Sequence, residues 1–402
     1  VYLLEGVEVY AAEHASHEGW NPRFGVWKPR LRLASEELLA ARPDRAGLLR
    51  STEEIDFPVP NILWRGFGSL GESLGNVTFE TLWALHELGV ADHVRFAPLP
   101  PGVAWFPEER FEPRAPLLEK LSAQRPEPLQ VEVQAPSLVA GSLSPCVRFF
   151  FHEFGCLPKG AGPLLAQDVV WAPSAAVAES LAAELPNRVI WAPHGVNPEI
   201  FNPEVEPAPG LDDPRFKFLY VGTTISRKGI DLALEAFLSE FAPGENACLV
   251  VKAFPTTAGF IWPELRRLAP RVIVLGEILY PRQVAELMRG CQVIVAPYRA
   301  EGFCLPVLEA MACSLPAIVP AGGATDDFCP KNCCWRIDTH EVRGAGMFFL
   351  EPEAGSLRRL MRRAYEDRAE VAAKGRAAAE FAKNFTWKRV TLHLLRELSG
   401  LL

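Results

Sequence analysis

Two glutamates, Glu301 and Glu309, bracket the segment Glu301-Gly302-Phe303-Cys304-Leu305-Pro306-Val307-Leu308-Glu309. An apolar run from Gln292 to Tyr298 precedes it, and apolar residues at Leu308, Met311 and Ala312 follow at helical spacing, so strand, loop and helix are expected in that order. Pro306 falls in the first helical turn, where its missing N–H costs nothing. One carboxylate then stands on the loop beyond the strand and the other a turn inside the helix. Between them, the unpaired N–H groups around Gly302, Phe303, Cys304 and Leu305 form an anion site. Carboxylates that can accept hydrogen bonds from sugar hydroxyls, flanking a diphosphate cradle, describe a nucleotide-sugar site.

A second segment, Val221-Gly222-Thr223-Thr224-Ile225-Ser226-Arg227-Lys228-Gly229, follows an apolar strand and leads into a helix. Arg227 and Lys228 put positive charge at a helix entrance, where it can hold a diphosphate and stabilise the departing nucleotide; the bland alternative is a solvated basic pair at a turn. Gly322-Gly323-Ala324-Thr325 follows another strand, and Thr325 is either a donor contact or part of a simple turn. Lys252, at a strand end, is a weaker phosphate candidate. Gly66-Phe67-Gly68-Ser69-Leu70-Gly71 is a literal G-x-G-x-x-G after a strand, which keeps an NAD-dependent oxidoreductase open as an alternative. Against it, the helix is expected to start only after Gly75, and the next strand, Val94 to Phe96, runs into prolines with no acidic residue for a ribose. The Asp212-Asp213 pair falls in a proline-rich linker and is read as unrelated to catalysis.

The elements that must position these groups alternate. In the first half, apolar runs at Ile62 to Trp64, Val94 to Phe96, Arg148 to Phe151, Val169 to Trp171 and Val189 to Trp191 read as strands. The second half repeats the theme with Phe216 to Val221, Cys248 to Lys252, Val272 to Leu275, Val293 to Ala296 and Ala317 to Val319. Helical runs at Ile230 to Phe241, Gln283 to Met288 and Pro306 to Ala312 separate them, and an amphipathic stretch ends the chain from Trp387 to Leu402. Strands alternating with helices imply parallel sheets, with ligands beyond the strands' C-terminal ends. The expected organisation is an N-terminal extension (1–56), a first Rossmann-like domain (57–202), a linker (203–215), a second Rossmann-like domain (216–386) and a terminal helix (387–402).

Composition sets the outer limits. The 402 residues suit two domains, and 49% apolar with 22% charged residues is globular. A net charge of −8 argues against nucleic acid as a main partner. No apolar run approaches the ~20 residues of a membrane span, and Glu5 and Glu8 interrupt the start, so neither a transmembrane segment nor a signal peptide is expected; peripheral membrane contact stays open. Nine scattered cysteines fit reduced thiols in a cytoplasmic protein. Cys329, Cys333 and Cys334 lack zinc-ligand spacing.

The Glu301–Glu309 motif resembles the paired-glutamate motif of retaining glycosyltransferases with two facing Rossmann-like domains, the GT-B fold of glycosyltransferase family 4 (glycosyl transferases group 1). The resemblance spans about Asn61 to Leu402 and is most specific in the second half. It implies a metal-independent, cofactor-free transferase that moves a sugar from a nucleoside diphosphate to an unknown glycan, lipid or protein acceptor, with retention. It also implies that Glu301 contacts the donor sugar, Glu309 grips the nucleotide ribose, and the base lies near Ile278 and Leu279. Arg227 and Lys228 hold the diphosphate, with Thr223 standing where the family often has a basic residue. His152, in Phe151-His152-Glu153-Phe154-Gly155, reaches the sugar across the cleft, and Gly66, Gly68 and Gly71 border the acceptor. The terminal helix crosses back to the first domain. His194 is structural in that family. Cys304 departs from the family's glycine: it either holds φ > 0 at a cost of about 1–2 kcal/mol or keeps ordinary dihedrals. A non-catalytic sugar-binding scaffold is the remaining alternative.

Overall fold

The computed structural model describes residues 30–32, 45–50, 54–67, 73–99, 115–134, 142–150, 153, 165, 168–185, 188–211, 213–253, 268–277, 279–344 and 347–402. A short strand β1 (Arg30–Arg32) and helix α1 (Arg45–Arg50) come first. The chain then forms two compact α/β units, one built from 46–195 and 384–402, the other containing 196–383.

The first unit contains β2 (Ile62–Phe67), α2 (Ser73–Glu87), β3 (Val94–Leu99), α3 (Ala115–Ala123), β4 (Val131–Gln134), β5 (Cys146–Phe149), β6 (Val169–Ala172), α4 (Ala175–Glu184) and β7 (Val189–Trp191). Its six strands are parallel in the order β3-β2-β4-β5-β6-β7. β3 continues through Pro98, which an edge strand tolerates because its outer N–H is not needed. Ser174 caps α4 by accepting from the Val177 N–H.

The second unit contains β8 (Phe216–Val221), α5 (Ile230–Glu240), β9 (Ala247–Lys252), β10 (Val272–Leu275), α6 (Pro281–Arg289), β11 (Val293–Val295), α7 (Leu305–Ala312), β12 (Ala317–Pro320) and β13 (Cys334–Ile337). A hairpin of β14 (Thr339–Gly344) and β15 (Met347–Pro352) follows, then α8 (Ala354–Glu366) and α9 (Arg368–Ala382). The main sheet is parallel in the order β10-β9-β8-β11-β12-β13, the doubly wound Rossmann order, whose direction reverses between β8 and β11. β1 adds to β14 as a third, antiparallel strand. Phe216, Phe218 and Tyr220 of β8 pack with Ile230, Ala233 and Phe237 of α5 and with Leu357 and Met361 of α8 in one buried core. Strands buried on both faces of a parallel sheet are mostly apolar along their whole length, which is why β8, β9, β11 and β12 read so plainly in the sequence.

The last helix, α10 (Trp387–Ser399), belongs to the first unit. Thr386 caps it by accepting from the Arg389 N–H, and it buries Trp387, Val390, Leu392, Leu394, Leu395 and Leu398. Leu394, Leu395 and Leu398 meet Ile62, Trp64 and Leu85 of β2 and α2. The expected return of the terminal helix to the first domain is therefore what the chain does. Gly195 lies so close to the Trp387 backbone that any side chain there would overlap it.

Candidate donor-site cluster at the switch point

The strand order brings the loop after β8 beside the loop after β11, and these two loops carry the groups that the sequence singled out. Arg227 and Lys228 lie in a single 3-10 turn (Ser226–Lys228) ahead of α5, rather than in the first turn of the α-helix itself. Gly229 closes that turn at φ 74°. Glu301 lies at the end of the β11 loop with its side chain 7% exposed. The Lys228 ammonium donates to Glu301 Oε1, and the Arg227 guanidinium stands 3.6 Å from Oε2. Arg227 also donates to the Ala300 carbonyl at 2.7 Å. Burial alone would raise the Glu301 carboxyl; the facing Lys228 and Arg227 overcome it and hold the group below its ordinary value, so it is ionised at neutral pH.

The backbone is shaped to the same end. Cys304, the N-cap of α7, has φ 74° and ψ 58°, which decides between the two conformations open to it: this residue accepts left-handed strain of about 1–2 kcal/mol. Burial, with Glu301 nearby, pushes its thiol far above the ordinary range, so it is not a ready nucleophile. Pro306 sits in the first turn of α7, and the Val307 N–H turns back to the Cys304 carbonyl. The N–H groups of Gly302 to Leu305 precede the first turn, where a helix has no acceptors of its own. Thr223 follows β8; its carbonyl accepts from the Tyr220 hydroxyl at 2.8 Å, while its own buried hydroxyl has no partner among the described residues. Glu309 is half-buried on α7, one turn beyond Leu305. Leu279 is half-buried between β10 and α6.

Some expectations change and others do not. Gly66 is not in a loop: it lies inside β2, and a Cβ there would press on the Thr78 side chain at 2.6 Å. The helix after it begins at Ser73, so Gly75 is within α2. A glycine needed for strand–helix packing explains one of the three glycines of the G-x-G-x-x-G without a dinucleotide. Thr325 is fully buried and its hydroxyl is engaged by protein: it pairs with the Tyr298 hydroxyl at 2.8 Å and accepts from Arg336 at 3.1 Å, beside the Gly322–Gly323 loop. Lys252 is a core residue, 5% exposed, with its ammonium 3.4 Å from the Ala253 carbonyl. Asp213 is occupied by Arg215 at 2.9 Å and Lys217 at 3.6 Å. His194 packs between the rings of Phe149 and Trp387, and burial lowers its pKa to about 3. His152, Gly68, Gly71 and Ile278 lie outside the described residues.

Residues 215–334 match the family model of glycosyl transferases group 1. This part of the second unit is thus a glycosyl transferases group 1 domain, and the two parallel-sheet units give the chain the architecture of GT-B glycosyltransferases. The chain is 30% identical over 227 residues to the D-inositol 3-phosphate glycosyltransferase of Stackebrandtia nassauensis, covering 52% of this chain and 48% of that protein. It is 25% identical over 219 residues to an uncharacterized glycosyltransferase of Methanocaldococcus jannaschii, covering 54% and 55%. The matches span about half the length of these curated relatives. Among solved structures, Anabaena HepE in complex with UDP and glucose aligns with a TM-score of 0.62 at 15% identity, over 84% of this chain and 99% of that one. Among the described residues no helix is long and apolar enough to cross a membrane, and no group of three His, Cys, Asp or Glu residues is arranged to hold a metal ion.

Proposed function

We propose that this protein is a retaining, metal-independent glycosyltransferase that moves a sugar from a nucleoside diphosphate to a glycan, lipid or protein acceptor in cell-surface glycan or glycoconjugate synthesis. The observation that carries the reading is the buried Glu301 carboxylate held against Lys228 and Arg227 at the point where the sheet order reverses. Ligands of doubly wound sheets bind there. The two cations and the α7 N-terminus hold the diphosphate and stabilise the charge that grows on it as the glycosidic bond breaks. Glu301 accepts hydrogen bonds from hydroxyls of the donor sugar, and Glu309 accepts them from the nucleotide ribose. The complex of the neighbour HepE with UDP and glucose supports a nucleotide-sugar donor. The curated relatives named as glycosyltransferases support the reaction class.

The test is a thermal-shift panel of nucleotide sugars, because a ligand bound only by the folded state raises the melting temperature. One donor is expected to stand out, and its product anomer, read by proton NMR, should match the donor's. With that donor, Glu309→Ala should weaken binding about ten- to hundred-fold, while Glu301→Ala chiefly slows turnover, since a hydrogen bond to a charged group contributes about 1.5–3 kcal/mol. Unchanged affinity and turnover in both variants would remove these glutamates from the site.

Activity is expected to survive excess EDTA, because Arg227, Lys228 and the helix N-terminus supply the positive charge that a divalent ion supplies in other transferases. An assay that dies on chelation and recovers with manganese or magnesium contradicts that reading of the diphosphate cradle.

A further inference from the structure

Arg299 precedes Glu301 by two residues and belongs to no motif, yet it touches every element around the basic turn. Its N–H donates to the Arg227 carbonyl at 2.8 Å, and its carbonyl accepts from the Leu350 N–H at 2.8 Å. The guanidinium forks onto Glu351, with Nε and Nη2 at 2.8 and 2.9 Å from its two oxygens. A second fork, from Nη1 and Nη2, reaches both oxygens of Asp231 at 2.9 and 2.8 Å. Nη1 also donates to the Ser226 carbonyl at 2.6 Å and lies 3.3 Å from its hydroxyl. The side chain is 14% exposed.

Every donor edge of the guanidinium is thus occupied by protein, and its charge is matched by two carboxylates. Such a group has nothing left to offer a phosphate. What it does fix is geometry: it ties β15 and the start of α5 to the Ser226 carbonyl, in the turn that carries both cations, while the backbone N–H of the same residue holds the Arg227 carbonyl. The lever is short, because the Arg227 guanidinium returns to Ala300, the residue after Arg299. We propose that Arg299 is a positioning residue for the diphosphate site, holding the 226–228 turn so that Arg227 and Lys228 keep their spacing to Glu301. This rests on the donor-site reading above. Lysine cannot replace it, since an ammonium carries the charge but cannot fork to two carboxylates and a carbonyl at once.

The test compares two classes of ligand on the full chain by calorimetry. Wild type and Arg299→Lys are titrated with uridine, guanosine and adenosine diphosphates and with the matching monophosphates. The expected result is a loss of about ten- to hundred-fold in affinity for the preferred diphosphate in Arg299→Lys, the scale of effect from misplacing a binding group by about an ångström. Affinity for the monophosphate should stay within about three-fold, because the cations grip the β-phosphate, which the monophosphate lacks. Equal losses for both ligands, or none for either, overturn the proposal while leaving the donor site standing. A wild type that binds none of the diphosphates overturns the donor-site reading and this inference with it. Should Arg299→Lys fail to fold by circular dichroism, Glu351→Gln, which breaks one fork and keeps the arginine, is read the same way. A smaller but still diphosphate-selective loss supports the role, and an unselective one ends it.

Discussion

Lys228→Ala is expected to lower turnover by about ten- to thousand-fold, the range seen when one preorganised electrostatic donor is removed from a transition-state site. The ammonium serves two partners in turn. In the free protein it neutralises Glu301; in the reaction it faces a diphosphate whose charge rises as the sugar leaves, so it stabilises the transition state more than the ground state. Removing it has a second effect that must be separated from the first. Glu301 would then be a buried carboxylate with Arg227 alone at 3.6 Å. A carboxyl held below its unfolded value adds stability above the unfolded pKa, near 4.5 here, and that contribution disappears as pH falls through the folded pKa. Without Lys228 the folded pKa rises and the contribution shrinks, so the variant should be less stable at neutral pH. Lys228→Ala/Glu301→Gln removes the buried charge and should recover the melting temperature without recovering turnover. Wild-type turnover in Lys228→Ala would end the assignment. Lys252→Ala is a poor comparison, because that lysine is itself buried.

Gly229→Ala is expected to destabilise the protein by more than about 2 kcal/mol, about 4–8 °C in melting temperature for a unit of roughly 200 residues, and to abolish most activity. Two costs add. The residue holds φ 74°, and a Cβ there would fall 2.7 Å from the Pro297 carbonyl carbon. Gly210 separates them: it also has positive φ, at 85°, but a Cβ there meets nothing within 4 Å. Gly210→Ala should therefore show the conformational cost alone, about 1–2 kcal/mol, with activity intact. The excess in Gly229→Ala measures how tightly the basic turn is pressed against the β11 loop. Matching effects in the two variants would mean that this contact is soft and does not set the site.

The second unit was legible because its central strands carry continuous apolar runs and its loops carry charge at the strand ends. β8, β10 and the helices from Ile230 and Leu305 fall within a residue of where the pattern put them. Less of the first unit could be read. β4 was missed because its sequence, Val-Glu-Val-Gln, looks half-solvated, although all four residues are buried. Glu132 there accepts from Arg65 at 2.8 Å and from the Ser142 hydroxyl at 2.7 Å, and neighbouring Arg148 pairs with Asp168; partners so far apart in sequence leave no local signal. Arg299 escaped for the same reason, since Asp231 and Glu351 lie far from it along the chain. The conformation of Cys304 was legible only as a choice between two, because a side chain that breaks the glycine habit does not itself say whether the backbone has moved.

The return of α10 to the first unit has a consequence for how the molecule comes into being. The first unit's core is assembled from two stretches separated by residues 196–383 of the second unit, and its closing helix is made after them. During synthesis from the N-terminus, the face of β2 and α2 that receives Leu394, Leu395 and Leu398 stays uncovered until residues 387–399 have left the ribosome. By then the main sheet of the second unit has been emitted in full and can complete its core without waiting. The order of maturation therefore runs opposite to the order of the chain: the half made first is finished last.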